Sequence, residues 1–320
     1  MTSRCGAGSG QAERPRQSAR LLRTTGRDLG RQRIDTAPQR SACPFGGNES
    51  VSAAVAREDL RAFREKGAAC LRQVVDLSWL DVLAEGLEKN LNDPSPYGCR
   101  YTAPGSPGDF VDDYCNWQRF SEYRSFVFDS GIGDTVAELL GSSTVRFFHE
   151  HVLVKEPGTR EISPWHQDQP YYCVDGEQVC SIWLPLDPVP QLVCPEFVAG
   201  SHLWNRMFTP LKFVDHRPYD GAFERFEDLP DIEAKRGDYE ILSWTLELGD
   251  AIAFHMKTVH GAPGTATHAT RRRAIATRWL GDDAVFAERP FTTSPPFPGL
   301  DLEPGDPMEH ELFPVVVSRS

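Results

Sequence analysis

The chain has 320 residues, 40% of them hydrophobic, which suffices for one large domain or two small ones. Its formal net charge of -12 argues against general binding to nucleic acid or to acidic membranes. No apolar run approaches the roughly 20 residues that a membrane-spanning helix needs, and none of the eight cysteines forms a CxxC pair. We therefore expect a soluble, reduced, cytoplasmic protein without a disulfide scaffold or a zinc finger.

Residues 1–50 differ in composition from the rest of the chain. Nine arginines and no lysine fall in this stretch among Ser, Thr, Gly and Gln, and no hydrophobic period persists. Such a stretch has little apolar surface to bury, so we expect a disordered tail. Two other interpretations stay open: an organelle transit peptide, which is also rich in arginine, or a start codon assigned too far upstream. Residues 51–320 are then expected to form a single domain.

Three helices are predicted in the first part of this domain, each bounded by a residue that commonly begins or ends a helix. Gly67 and Gly141 are the residue type that most readily takes the left-handed conformation following a helix. Asp76 is placed to cap a helix in which leucines recur at helical spacing, and a short strand is predicted between Gly67 and Asp76. The predicted helices lie within residues 55–66, 77–91 and 122–140.

From residue 144 the chain consists of short β-branched or aromatic segments that are separated by Gly and Pro turns. They are TVRFFHEHVLVKEPG, VCSIWLPLDPV, EFVAGSH, LELGDAIAFH and RRRAIATRWLGDD. Many short strands without long helices between them are typical of an antiparallel sandwich or barrel. We therefore predict a mainly β fold with flanking helices around a jelly-roll, cupin-like core. The long acidic segment 205–243 is predicted to be a lid or a disordered loop.

The segment SPWHQDQPYY places His166 and Asp168 two positions apart. On an extended strand such residues share a face, about 6.6 Å apart along the chain, so both can bind one ion. One imidazole and one carboxylate suit a divalent first-row metal, and a second histidine would complete a facial triad with three open positions. His260, next to Gly261 at a strand end, is that candidate, whereas His255 would point to the opposite face. A His–Asp pair without a metal is the alternative, although an aspartate buried among aromatic residues is costly unless it is paired or ligates a metal.

An arginine cluster follows His260 by about a dozen residues, in RRRAIATRW. A guanidinium group can bind a carboxylate through two hydrogen bonds, which lysine cannot do. On a strand, Arg272 shares its face with two alanines, which leave room for a ligand, whereas Arg271 and Arg273 share theirs with large residues. We therefore favour Arg272 as a carboxylate anchor, with solvated edge-strand arginines as the alternative.

Together these segments resemble the phytanoyl-CoA dioxygenase family of non-haem Fe(II)- and 2-oxoglutarate-dependent oxygenases. The resemblance runs from about residue 59 to 283 and is carried by HEHVLVKEPGT, PWHQDQPYY, WLPLDPV, CPEFVAGSH, LGDAIAFH, HGAPG and RRAIATRWLGDD. It implies a double-stranded β-helix, in agreement with the predicted strands. It also implies an enzyme that uses O2 and 2-oxoglutarate to hydroxylate a small-molecule substrate, with release of succinate and CO2.

The same resemblance implies roles for particular residues. It assigns three ligands to Fe(II) and three residues to the 2-oxoglutarate pocket, one of which would hold the distal carboxylate of that cosubstrate. The implied iron ligands are His166, Asp168 and His260, and the implied pocket residues are Arg272, which holds the carboxylate, Trp183 and His151.

The sequence departs from the family pattern after the last implied ligand. Relatives often have HGS where this chain has HGA, and the serine of that motif assists the arginine. Ala262 has no hydroxyl group, so we expect Thr265 or Thr267 to substitute for it. The carboxylate ligand Asp168, which related halogenases lack, indicates hydroxylation rather than halogenation.

Two other functions stay open at this point. A zinc-dependent hydrolase or isomerase could use the same ligands, but no clear general base lies near them and the arginine would have no role. A non-catalytic jelly-roll binding protein is the other possibility, and the complete set of ligands argues against it. Gln167, Gln169, Tyr171 and Tyr172 flank the ligands, where they either face the substrate or pack behind the metal.

Overall fold

The computed structural model describes residues 54–215, 217–265 and 271–319 of the chain. The tail predicted for residues 1–50 lies outside these ranges, so the domain boundary near residue 51 stays a prediction. Within the described ranges, four α-helices accompany two main antiparallel sheets and a separate two-stranded one. None of these helices is long and apolar enough to cross a membrane.

The helices begin and end largely where local signals predict. Gly67 follows the first helix in the left-handed conformation, with a φ of 78°, and Asp76 caps the second by accepting a hydrogen bond from Ser78 N. The prediction of a single helix within 122–140 is wrong, because Gly131 takes a left-handed φ of 80° and separates two shorter helices. The four helices are Arg57–Lys66 (α1), Leu77–Asn92 (α2), Ser121–Asp129 (α3) and Ile132–Leu140 (α4).

Fourteen strands in the described ranges build the core. They are Ala68–Leu71 (β1), Cys99–Arg100 (β2), Phe110–Tyr114 (β3), Thr144–Lys155 (β4), Ser163–His166 (β5), Val174–Asp175 (β6), Val179–Pro185 (β7), Glu196–Val198 (β8), Ile241–Leu242 (β9), Ala251–His255 (β10), His260–Ala262 (β11), Arg272–Leu280 (β12), Val285–Phe286 (β13) and Val315–Ser318 (β14). The larger sheet has the order β1-β10-β7-β12-β4-β3-β2, with β14 also paired to β4. The smaller sheet has the order β5-β11-β8-β9, and β6 pairs with β13. This arrangement confirms the predicted mainly β fold with flanking helices and is consistent with a jelly roll.

The larger sheet packs on both of its faces. On one face Trp279 of β12 shares a hydrophobic cluster with residues of all four helices, among them Leu83 of α2. The other face looks toward the smaller sheet, where Trp183 and Phe254 share a cluster with Phe197 of β8. The rings of Phe197 and Phe254 are 5.1 Å apart between centroids. Side chains on this second face therefore point into the space between the two sheets.

Two glycines that follow helices provide a matched test of this packing. A Cβ atom at Gly67 would lie 2.4 Å from His202 Nδ1 and 2.5 Å from Thr258 Oγ1, whereas a Cβ at Gly141 would meet nothing within 4 Å. Both glycines have a left-handed φ, so Gly141→Ala should cost about 1 kcal/mol of unfolding free energy for backbone strain alone. Gly67→Ala adds steric overlap and should cost about 2–4 kcal/mol. Urea denaturation measures both, and equal losses would contradict the close approach at Gly67.

Candidate metal centre

Three potential metal ligands converge where β5 and β11 pair in the smaller sheet. His166 ends β5, His260 begins β11, and the two residues are directly opposite in the antiparallel register. Asp168 follows β5, and its Oδ1 lies 3.5 Å from His166 Nε2 and 3.7 Å from His260 Nε2. One donor atom from each residue lies within 4.8 Å of the others. Two imidazoles and one carboxylate at this spacing fit a divalent first-row metal with open coordination positions.

The chain brings these ligands together by a route that differs from the prediction. Asp168 is not on an extended strand, since its φ of -73° and ψ of -45° are helical and a short 3-10 turn follows it. The amide groups of Asp168 and Gln169 both donate to the carbonyl oxygen of Met256 at 2.9 Å, which holds this turn against the loop that leads to His260. His255 lies elsewhere because β10 ends there and the chain crosses to the other sheet, and not because of alternation along one strand.

Backbone carbonyl groups fix how the two histidines face the site. His166 Nδ1 lies 2.7 Å from the carbonyl oxygen of Pro164, and His260 Nδ1 lies 2.9 Å from that of Thr258. Each Nδ1 therefore carries the hydrogen that is donated, which leaves the lone pair of Nε2 free for a metal. Burial, followed by the charge of His166, lowers the pKa of His260 to about 3, so this imidazole is neutral, as a ligand must be.

A residue that the sequence analysis missed holds Asp168 as a carboxylate. Arg278 is buried on β12, and its Nη2 lies 3.3 Å from Asp168 Oδ2, to which Ser181 Oγ also donates at 3.1 Å. Burial acts to raise the pKa of Asp168, but the charge of Arg278 leads the effects that lower it well below its usual range. Oδ2 is thus engaged by the protein, while Oδ1 lies next to the histidines. A sequence signal was available, because Arg278 falls by strand alternation on the same face as Arg272.

Of the three consecutive arginines, Arg272 is the one that lies on the face of β12 with the two alanines, as predicted, and it is 6% exposed. Its guanidinium group donates to the carbonyl oxygen of Val193 and takes part in no ion pair among the described residues. Burial lowers its pKa to about 10. Arg271 and Arg273 instead pair with carboxylates nearer the surface. A buried guanidinium group without a carboxylate beside it is positioned to bind an external one.

A family model matches the part of the chain that carries this site. The family model of phytanoyl-CoA dioxygenase (PhyH) matches residues 63–274, more than half of the chain. The chain belongs to the phytanoyl-CoA dioxygenase family. The matched stretch contains His166, Asp168, His260 and Arg272, so the family assignment, the sequence motifs and the converging side chains concern the same part of the protein.

Solved structures with the same fold come from several enzymes. The non-heme alpha ketoglutarate dependent carbocyclase SnoK from nogalamycin biosynthesis has a TM-score of 0.63 and 23% identity, covering 85% of this chain and 100% of its own. The epimerase SnoN, in complex with Fe3+, alpha ketoglutarate and nogalamycin RO, has a TM-score of 0.62 and 21% identity, covering 81% and 97%. EctD from S. alaskensis, with 2-oxoglutarate and 5-hydroxyectoine, has a TM-score of 0.61 and 18% identity, covering 85% and 90%. At these identities the likeness establishes the fold.

Trp183 and His151, the other pocket residues expected in this phytanoyl-CoA dioxygenase family member, flank one position of β12. Both have Ala276 as their Cα partner, Trp183 from β7 and His151 from β4. Cross-strand partners share a face of the sheet, so both side chains lie on the face that carries the two buried arginines. His151 Nε2 lies 2.9 Å from Asp112 Oδ2, which fixes the orientation of the imidazole ring.

Two residues beside the ligands attach the long segment that was predicted to be a lid or a disordered loop. The side chain of Gln167 accepts a hydrogen bond from Phe208 N at 3.0 Å. The hydroxyl group of Tyr171 donates to the carbonyl oxygen of Leu211 at 2.8 Å and accepts from its amide group at 2.9 Å. The ligand-bearing stretch of chain therefore also anchors the covering segment 205–243, so its geometry is coupled to that of the metal centre.

The other two flanking residues support the site from behind. The hydroxyl group of Tyr172 accepts a hydrogen bond from Arg278 Nε at 3.1 Å, and Gln169 Nε2 donates to the carbonyl oxygen of Gly176 at 3.3 Å. Both side chains are buried. Their hydrogen bonds orient the arginine behind Asp168 and stabilise the turn that follows it.

The covering segment reaches the metal centre itself. The ring of Phe213 lies 4.9 Å from that of His166 between centroids. A cavity of about 260 Å³ lies between the segment and β5, and its lining includes His166, Tyr171 and Thr209. The described part of segment 205–243 thus lies as a cover over one ligand, and its action as a lid stays a prediction.

The replacement expected for the missing serine is not found at Thr265. Ala262 ends β11 without a hydroxyl group, and the hydroxyl group of Thr265 donates to the carbonyl oxygen of Glu156 at 2.8 Å. Thr267, the other expected substitute, lies outside the described residues. Among the described residues of this stretch, no hydroxyl group takes the place of the missing serine beside Arg272.

Arg278→Met should destabilise the metal-free protein strongly. The change leaves the buried carboxylate of Asp168 without its partner, which costs about 3–5 kcal/mol of unfolding free energy. Arg273→Met breaks a partly exposed pair with Asp187 and should cost about 1 kcal/mol or less. Chemical denaturation in the presence of a chelator compares the two variants. Similar losses of unfolding free energy in both variants would show that Arg278 does not stabilise the buried carboxylate of Asp168.

Proposed function

We propose that this protein is a non-haem Fe(II)- and 2-oxoglutarate-dependent oxygenase that uses O2 to hydroxylate a C–H bond of a small-molecule substrate. The observation that carries the proposal is the presence of both a His–Asp–His group and a buried arginine, Arg272. This arginine has no ion-pair partner among the described residues. The first fits a divalent metal, and the second fits the far carboxylate of a cosubstrate bound to that metal.

Three side chains would hold the metal, and a fourth would support one of them. His166 and His260 offer Nε2, and Asp168 offers Oδ1, while Arg278 keeps the other carboxylate oxygen engaged. The carbonyl groups that bind each Nδ1 keep the imidazoles in the tautomer that a ligand requires. When bound, iron and 2-oxoglutarate supply the oxidative chemistry that consumes O2 and releases succinate and CO2.

The remaining residues would position the cosubstrate and exclude water. Arg272 binds the distal carboxylate of 2-oxoglutarate, and Trp183 and His151 line the pocket between that carboxylate and the metal. The covering segment, with Phe213 against His166, keeps bulk water from the reacting atoms. The protein thus contributes orientation and a dry environment.

Hydroxylation is the outcome that we propose, because the carboxylate ligand Asp168 occupies the position that a halide would need. The similar structures include a carbocyclase and an epimerase, so ring closure and epimerisation are the outcomes against which hydroxylation is tested. Mass spectrometry of the product separates them. A gain of one oxygen atom indicates hydroxylation, a loss of two hydrogens indicates ring closure, and an unchanged mass indicates epimerisation.

Anaerobic addition of Fe(II) and then 2-oxoglutarate tests the metal centre. Wild-type protein should develop the weak visible charge-transfer absorbance of a keto acid chelated to iron, and His166→Ala and Asp168→Ala should not. His255→Ala is the matched control, because that histidine is also buried but lies outside the ligand group, so this variant should keep the band. Tight zinc retention without any band in wild type would favour the zinc-dependent hydrolase or isomerase instead.

Arg272→Met should weaken the binding of 2-oxoglutarate to the iron-loaded protein. Loss of one half of a buried charge pair costs about 2–5 kcal/mol, which is roughly 30-fold to several-thousand-fold in affinity. Arg273→Met should change the affinity little, since that side chain pairs with Asp187. Titration of the charge-transfer band measures both. If Arg273→Met shows the larger loss, the anchor has been assigned to the wrong arginine.

A further inference from the structure

Two buried cations lie opposite each other at the beginning of β12. Lys155 and Arg272 are Cα partners in the antiparallel register of β4 and β12. They are 1% and 6% exposed. Directly opposite residues have Cβ atoms about 5 Å apart, and like charges in such positions destabilise a sheet. A pair of this kind requires compensation by a negative charge.

Among the described residues, no ion pair supplies that charge. Lys155 Nζ donates to the carbonyl oxygens of Glu161 at 3.0 Å and of Pro263 at 3.2 Å, and it lies 4.4 Å from the centre of the Phe110 ring. Arg272 donates to the carbonyl oxygen of Val193. Burial, followed by the charge of Arg272, lowers the pKa of Lys155 well below its usual range, and the Glu161 carboxylate opposes this shift without forming an ion pair. The two cations are therefore costly to keep charged unless an anion joins them.

Both groups keep donors for such an anion. An ammonium group has three N–H donors, of which Lys155 uses two on carbonyl groups, and a guanidinium group has five. Ala262 offers no hydroxyl group to the arginine, and among the described residues the hydroxyl group of Thr265 is engaged elsewhere. Lys155 is thus the charged donor that the sheet register places beside Arg272.

We propose that Lys155 and Arg272 together bind the distal carboxylate of the cosubstrate, and that Lys155 takes the role of the hydroxyl group that Ala262 lacks. The inference rests on the proposed function. One carboxylate shared by two cations removes the repulsion between them and uses the free donors of both. It follows that the site selects a dicarboxylic 2-oxo acid over a monocarboxylic one of the same length.

Lys155 also has a structural task that any test must separate from this one. Its two carbonyl partners belong to the stretches that lead into β5 and out of β11, the strands that carry His166 and His260. Replacement of Lys155 could therefore loosen the metal centre as well as remove a charge. If the role of Lys155 is purely structural, its replacement should weaken the binding of every 2-oxo acid to the metal centre. If Lys155 binds the distal carboxylate, its replacement should weaken the binding of only those acids that have this carboxylate.

The experiment compares two 2-oxo acids on the full-length, iron-loaded protein under anaerobic conditions. Affinities for 2-oxoglutarate and for 2-oxopentanoate, which lacks the distal carboxylate, are obtained from the charge-transfer band in wild type, Lys155→Met and Arg273→Met. Lys155→Met should lose about 10- to 100-fold in affinity for 2-oxoglutarate, the effect of one charged hydrogen bond, and stay within about twofold for 2-oxopentanoate. Arg273→Met should bind both acids like wild type.

The other possible results refute either the role of Lys155 or the proposed function. Unchanged 2-oxoglutarate affinity in Lys155→Met, or an equal loss for both acids, refutes the charge role of Lys155. Lys155→Gln replaces the lysine if the methionine variant does not fold, because an amide can still donate to the two carbonyl groups but carries no charge. Failure of wild type to bind 2-oxoglutarate at all refutes the proposed function itself, and so the two failures are distinguishable.

Discussion

The buried ion pair between Asp168 and Arg278 is the interaction on which the rest of the metal centre depends. Both side chains are 5% exposed, and a carboxylate in such surroundings is tolerated because a guanidinium group and the hydroxyl group of Ser181 engage one of its oxygens. The second oxygen is left beside the two imidazoles. Because Arg278 belongs to the larger sheet and Asp168 follows a strand of the smaller one, the same pair also joins the two sheets at the site.

One strand organises both ends of the candidate pocket. On the inner face of β12, Arg278 lies behind the metal ligands and Arg272 lies at the opposite end, with two alanines between them. Small side chains separate the two arginines on this face, whereas Trp279 on the outer face fills the core against the helices. The alternation of a strand thus separates binding from packing within a few residues.

Features that depend on neighbouring residues could be predicted from the sequence, and features that depend on distant contacts could not. The helix end at Gly67, the cap at Asp76 and the inward face of β12 are local, and all three were confirmed. The grouping of His166, Asp168 and His260 was also predicted, but the strand geometry assumed for the aspartate was wrong, because hydrogen bonds to Met256, far along the chain, turn the backbone there. Arg278 was missed because its partner becomes evident once the two sheets are packed together.

The attachment of the covering segment has a consequence for how such a protein can diversify. Gln167 and Tyr171 attach it next to the ligands, and the groups they bind include a backbone amide and a backbone carbonyl of the segment. Backbone groups are present whatever the side chain, so most residues of segment 205–243 can be exchanged without loss of these attachments. The cover and the metal centre are therefore separable, so substitutions in the cover can change the groups that lie over His166 while the ligands of the metal centre stay the same.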